Sequence, residues 1–213
     1  MTSFQYEFWQ VEFPKPTREQ VQACMPAGYE RVYGSNMVRE IFDATELFIE
    51  TPSCIDAQRA CYSNYKNHTT AKIIGAITPG GAAVFSSDAY PGKVTDPMLT
   101  KACGYIDRAE KGDLMSADRG FEGCKHDFNK LGVDLVAPPT RFRNQGQFTE
   151  DEARETFKQA NLRIHIERAY ARAKAYKMLG QELPLDGLDL IGKIFNIVFL
   201  VCNNPHASLI NSI

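Results

Sequence analysis

The chain has 213 residues and a mass of 23.9 kDa, with 24 basic and 26 acidic side chains and a net charge of -2. A hydrophobic share of 44% and a charged share of 23% are ordinary for a globular domain and exclude a disordered tail, a collagen-like chain and a coiled coil. The pI near 6.1 argues against a generally basic, histone-like nucleic-acid binder but leaves room for a local basic patch.

The most apolar stretch, Leu190 to Cys202, is too short to span a bilayer and contains Lys193 and Asn196, so no membrane partner is expected. Residues Met1 to Gln10 include Glu7 and no apolar run, so no signal peptide is expected. The six cysteines are scattered and form no CxxC pair, which reads as a reduced, intracellular protein. Neither Cys61 with His68 nor Cys124 with His126 has two further ligands at zinc spacing. Charge is uneven: residues 138–177 hold nine basic against five acidic side chains, whereas residues 1–50 hold four against eight. The positive stretch starts with Arg141 and Arg143 and reads either as a solvated helix face or as a phosphate-facing surface.

In chain order, Thr17 before Arg-Glu-Gln predicts an N-cap and a short helix over 17–24. Met37 to Phe42 predicts a short strand ending in Asp43. The apolar runs Ala71 to Ile77 and Ala82 to Ser86 flank Thr78-Pro79-Gly80-Gly81 and predict a hairpin. A short helix follows over Thr95 to Gly104, then a strand over Asp113 to Ala117 that delivers Asp118. Glu122 to Leu131 predicts a helix stopped by Gly132, and Val133 to Ala137 a buried strand closed by Pro138-Pro139. Thr149, with Glu152 at the capping-box position, opens a long helix to about Leu179, its apolar stripe running Leu162, Ile166, Ala169, Ala173 and Tyr176. A last apolar helix covers about Leu185 to Asn203. The aromatic strip of Phe4, Tyr6, Phe8, Trp9 and Phe13 reads as core packing or a docking edge. An antiparallel start followed by βα alternation predicts one α/β domain with a mixed central sheet, antiparallel hairpin strands and flanking helices.

Three carboxylates stand out. Asp43 and Asp118 each follow a short strand, where open α/β sheets place their sites. Glu167 lies off the apolar stripe of the long helix, on the side of Arg163 and Lys174. Hard oxygen ligands of this kind suit Mg2+ or Mn2+, and two such ions suit phosphodiester cleavage. Plainer roles stay open: Asp43 as a cap for a turn at Ala44-Thr45, Asp118 as a partner of Arg119 or a cap of the Arg-Gly turn, Glu167 as an ion-pair partner of Arg163.

Four ordered blocks carry a family resemblance: Ile41-Phe42-Asp43-Ala44-Thr45-Glu46 running on to Pro52, Tyr62-Ser63-Asn64-Tyr65-Lys66-Asn67-His68 running on to Pro79, Leu114-Met115-Ser116-Ala117-Asp118-Arg119-Gly120-Phe121, and Ala160-Asn161-Leu162-Arg163-Ile164-His165-Ile166-Glu167-Arg168. Pro91-Gly92-Lys93-Val94-Thr95-Asp96 lies between the second and third. The sequence resembles the catalytic domain of DDE superfamily transposases of the Harbinger-like group, especially relatives that carry a THAP-type DNA-binding domain.

The resemblance implies an RNase H-like fold and a catalytic, metal-binding triad of Asp43, Asp118 and Glu167 holding two divalent ions, Mg2+ or Mn2+. It implies a DNA endonuclease and strand-transfer enzyme, acting on transposon ends or related duplexes in the nucleus, as a homo-oligomer. Lys66, His68, Arg119, Arg141, Arg143 and Arg168 are the candidate DNA-phosphate contacts. Asp96 is expected to be a supporting residue or helix cap. The expected boundaries are a lead-in over 1–35, the catalytic domain over 36–205 and a tail over 206–213. Ala44, Cys61 and Ala171 stand where relatives usually have Gly or Cys, Trp, and Gly, and no zinc-finger cysteine pattern precedes Asp43. The alternatives are a truncated or domesticated derivative acting as a nuclear DNA- or protein-interaction module without catalysis, and another metal-dependent phosphotransfer enzyme on a similar sheet.

Overall fold

The computed structural model describes residues 12–33, 38–138, 164–185 and 188–202. Arg141, Arg143, Arg163, the start of the long helix and the aromatic strip up to Trp9 lie outside them. Thr17 caps α1 (Arg18–Ala23) through a capping box, its hydroxyl accepting from Gln20 N and the Gln20 amide accepting from Thr17 N. Helix α2 (Ala27–Tyr33) follows and buries Tyr29. The centre of the sheet is β1 (Val38–Phe48). Helix α3 (Ile55–Cys61) leads into β2 (Tyr62–Ser63), and β3 (His68–Ile77) turns into β4 (Ala83–Ser86). The turn is the expected one, with Gly81 N donating to Thr78 O and Thr78 N donating to Ala82 O. Next come β5 (Tyr90–Pro91), α4 (Asp96–Ala102), a 3-10 turn (Ile106–Arg108) and β6 (Leu114–Ser116). A 3-10 segment (Arg119–Cys124), α5 (Lys125–Lys130) and β7 (Asp134–Val136) follow, then helix α6 over 164–174 and α7 (Leu188–Val201). No helix among the described residues is long and apolar enough to cross a membrane.

The sheet is mixed, with order β2-β3-β1-β6-β7 and with β4 and β5 also paired to β3. Strand β1 runs antiparallel to β3 and parallel to β6, which runs parallel to β7. Side chains alternate across the two faces, as a period of two requires. Ile41, Ile73 and Ile77 pack with Ile166, Ala169, Tyr170, Phe195 and Phe199 under α6 and α7. Phe42, Ile74 and Met115 pack with Leu99, Tyr105, Phe121 and Phe128 under α4, α5 and the 3-10 segments.

Several expectations shift. Strand β1 does not stop at Phe42 but runs through Asp43 to Phe48, because β3 pairs with it as far as Phe48↔Thr70. The expected helix over Glu122–Leu131 divides into the 3-10 segment and α5, ending before Gly132, whose φ is 71°. Helix α6 ends at 174, short of Leu179, and Tyr176 is exposed rather than part of the buried stripe, while Ile166, Ala169 and Ala173 are buried as expected.

One buried acid ties the second core together. Glu40 is almost fully buried, and burial pushes its carboxyl pKa up. Tyr105 Oη donates to Glu40 Oε2 at 2.8 Å, and Arg108 lies 3.9 Å away while donating to Val84 O. Tyr105→Phe keeps the ring contacts to Phe42 and Phe85 but removes the donor. The expected loss is about 1–3 kcal/mol in urea unfolding at neutral pH. It shrinks in acid, where Glu40 takes up its proton and needs the donor less.

Candidate active site

Pairing register brings the first two predicted acids together. Ile41 lies opposite Ser116 on the neighbouring parallel strand. Asp43 stands two residues further along β1, and Asp118 two residues beyond Ser116, just past the end of β6, where it opens the next 3-10 segment. Ile41 lies on the face covered by α6, which carries Glu167. Asp43, Asp118 and Glu167 line one cleft of about 530 Å3, together with Glu46, Asp96, Lys66, Lys72, Lys174 and Tyr65. Strand β6 ends at Ser116 while β1 continues, and the step between them opens the cleft.

The helix is fixed by a hydrogen-bonded tyrosine. Tyr170 Oη donates to Asp43 O at 2.5 Å and accepts from Gly75 N at 2.9 Å. Asp43 and Gly75 are register partners on β1 and β3, so the hydroxyl bridges two strand backbones. Gly75 is needed for this approach, since a Cβ there would come within 3.0 Å of the Tyr170 ring and hydroxyl. Glu167 precedes Tyr170 by three residues and Lys174 follows it by four, the spacing of one helix face. Lys174 Nζ donates to Glu46 O at 2.8 Å, a second tie from α6 to β1.

The other acids in the cleft have lysine partners. Lys72 lies 3.2 Å from Asp96 and 3.8 Å from Glu46, which also accepts from Thr70 Oγ1 at 2.7 Å. Asp96 is the first residue of α4, after its N-cap Thr95, and its carboxylate faces the cleft in an ion pair with Lys72. Gly120 makes room for it, since a Cβ there would meet Asp96 Oδ2 at 2.6 Å. Asp118 does cap the following 3-10 segment, its Oδ1 accepting from Arg119 N at 2.6 Å. Asp43 Oδ1 accepts from Ala44 N at 2.9 Å within a continuing strand, so there is no turn there to cap. Among the described residues, no three His, Cys, Asp or Glu side chains converge tightly enough to hold a single ion.

A family model described as DDE superfamily endonuclease matches residues 42–203, most of the chain. No curated protein and no solved structure matches. The chain belongs to the DDE superfamily endonucleases. That membership gives a nuclease- or transposase-type protein whose substrate is DNA, in a family that generally uses divalent metals.

In this DDE endonuclease, the predicted phosphate contacts divide by position. Lys66 lines the cleft, and Arg119 is exposed immediately after Asp118. His68 donates from Nδ1 to Thr69 O and packs edge-on against Phe48, outside the cleft lining. Arg168 is half-buried, with Nη1 lacking a hydrogen-bond partner among the described residues, and it too lies outside the lining. Arg141 and Arg143 lie outside the described residues. Glu46, Lys72, Tyr65 and Tyr170 belong to the site without having been singled out from the sequence. The helical spacing of Glu167, Tyr170 and Lys174 was the available signal for Tyr170.

Tyr170→Phe removes the bridging hydroxyl and leaves the Gly75 N–H buried without its partner. The expected loss is about 1–3 kcal/mol in urea unfolding. Lys174 gives a second test. Burial lowers its pKa from 10.5 to about 8, with Lys66 adding repulsion and Glu46 and Asp43 pulling the other way. Between those two values the unfolded chain holds a proton that the folded chain has released, so this group adds stability as pH rises. Measured against Lys174→Met, the parent's urea midpoint is expected to climb from about pH 8 to about pH 10.

Proposed function

We propose that this chain is the catalytic domain of an RNase H-like DDE transposase of the Harbinger-like, THAP-associated branch, a metal-dependent DNA endonuclease and strand-transfer enzyme. The observation that carries the reading is that Asp43 on β1, Asp118 just past the end of the parallel strand β6, and Glu167 on α6 line one cleft. The sheet supports the RNase H-like assignment: antiparallel β4, β3 and β1, followed by β6 and β7 parallel to β1. The four ordered sequence blocks support the branch.

The donor set fits hard divalent ions. The cleft offers five carboxylates against three lysines, all its acids being oxygen donors of the kind Mg2+ and Mn2+ prefer. Asp43, Asp118 and Glu167 would hold the ions. When bound, a pair of such ions activates the attacking water or DNA 3'-hydroxyl and stabilises the leaving oxygen. Lys66 and Lys174 line the cleft and would place positive charge beside a phosphate held there. Lys72 keeps Glu46 and Asp96 in ion pairs and so out of the ligand set. Strand transfer at transposon ends needs two DNA ends held together, hence a homo-oligomer, in the nucleus where the target DNA lies.

Calorimetry with Mg2+ and Mn2+, and cleavage of end-labelled duplex DNA, test the reading on the parent, Asp43→Asn, Asp118→Asn and Glu167→Gln. The parent is expected to bind the ions and cut. Each variant should lose more than the roughly 10–100-fold that removal of an outer-sphere partner costs. A folded parent that binds neither ion at millimolar concentration with DNA present would overturn the catalytic reading in favour of a non-catalytic interaction module.

A further inference from the structure

Residues 64–67, the turn between β2 and β3, serve two hollows at once. Tyr65 and Lys66 line the acid cleft. Tyr62 and Asn64 line a second hollow of about 400 Å3, shared with Arg59 from the last turn of α3 and with Lys93. The turn is held by Asn67 in the left-handed region at φ 50° and by Ser63 Oγ accepting from Lys66 N at 3.3 Å. At its tip the Tyr65 ring is 82% exposed, more than any other large apolar side chain among the described residues. Lys66 Nζ sits 4.7 Å from the centre of that ring.

We propose that Tyr65 is a stacking platform for an unpaired nucleobase beside the scissile phosphate, with Arg59 and Lys93 receiving the phosphate on its far side. The proposal rests on the nuclease reading above and specifies its substrate as DNA that is single-stranded next to the cut. A lone exposed aromatic is ordinary on a protein surface. This one is not randomly placed: it forms part of the wall of the acid cleft, carries a cation against its ring, and stands between that cleft and a second cationic hollow. A tyrosine face stacks any base, but a base within a duplex already has both faces covered, so only an unpaired one can use it. The phosphates flanking such a base then meet Lys66 on the cleft side and Arg59 and Lys93 on the other. Arg59 is available for this, since its only ion pair among the described residues is a 3.9 Å contact with Asp56, where both side chains are largely exposed.

The test uses the full chain and two DNAs of one sequence: a duplex ending in a short single-stranded extension that carries 2-aminopurine, and the fully paired version. Binding is titrated in Ca2+, and cleavage is read separately in Mg2+. The parent is expected to bind the extended DNA roughly tenfold more tightly than the paired one and to quench its 2-aminopurine. Tyr65→Ala should erase both effects, and Tyr65→Phe should keep them. An exposed side chain tolerates these changes, and circular dichroism verifies the fold. Equal affinity of the parent for both DNAs overturns the proposal, as does a Tyr65→Phe variant that fails like Tyr65→Ala, which would point to the hydroxyl on a phosphate. A parent that cuts DNA yet shows no preference leaves the nuclease reading standing and removes this one. A parent that quenches the extension but never cuts does the reverse, and one that binds neither DNA removes both.

Discussion

The site depends on one hydroxyl. Tyr170 Oη sits between Gly75 N and Asp43 O and ties a helix to two adjacent strand backbones. Apolar packing alone fixes a helix on a sheet poorly, because dispersion and burial are non-directional and a small slide costs little. Hydrogen bonds to backbone groups are directional and short, so they set both the depth of α6 and its rotation about its own axis. Glu167 and Lys174 lie on the face that carries Tyr170 and inherit that rotation. The first predicted acid is tied in as well, because the carbonyl that accepts from Tyr170 belongs to Asp43 itself. The phenol is buried, and that burial, reinforced by the Asp43 charge, pushes its ionisation well above the ordinary range, so it remains a donor at any working pH.

Charge is arranged around this anchor in two ranks. Five carboxylates in one cleft repel one another, and lysines must offset that repulsion for the fold to hold them there. Lys72 does so for Glu46 and Asp96 with an ammonium that is itself mostly shielded from water. Lys174 is spent differently: its hydrogen bond goes to a backbone carbonyl, and burial makes its proton easier to lose. The cleft thus has a locked rank of Glu46 and Asp96, paired with Lys72, and a second rank of Asp43, Asp118 and Glu167. A divalent ion entering the second rank need not break the pairs of the first.

How much of this was legible follows the range of the interactions. The β3–β4 hairpin could be read because its turn residues are local. Thr17 announced α1 for the same reason. The three acids could be named through the ordered blocks around them, and Asp118 could be placed after its strand, whereas Asp43 lies within β1. The length of β1 could not be read, since its last residues are strand only because β3 runs antiparallel beside them. The step that opens the cleft was therefore invisible, although both aspartates were in view. Helix α3 buries no residue, so it left no apolar stripe to detect. Tyr170 reads in sequence as one more aromatic in an alanine-rich helix. Its role appears only when Gly75, nearly a hundred residues earlier, comes to face it.

An acidic chain with a DNA substrate poses no contradiction once distance is considered. At physiological ionic strength charges are screened beyond about 8 Å, so a phosphate senses the side chains around it and not the net charge of the molecule. The acidic excess of this chain falls largely in residues 1–50, whereas residues 138–177 carry a surplus of four positive charges. Within the cleft, Lys66 and Lys174 accompany the acids, and Arg59 and Lys93 line the neighbouring hollow. The negative charge at the centre suits cations, and the positive charge around it suits a polyanion. That separation is what a site for both a divalent ion and DNA would need, because carboxylates spread along a DNA path would repel the strand, and cations crowded onto the acids would compete with an ion.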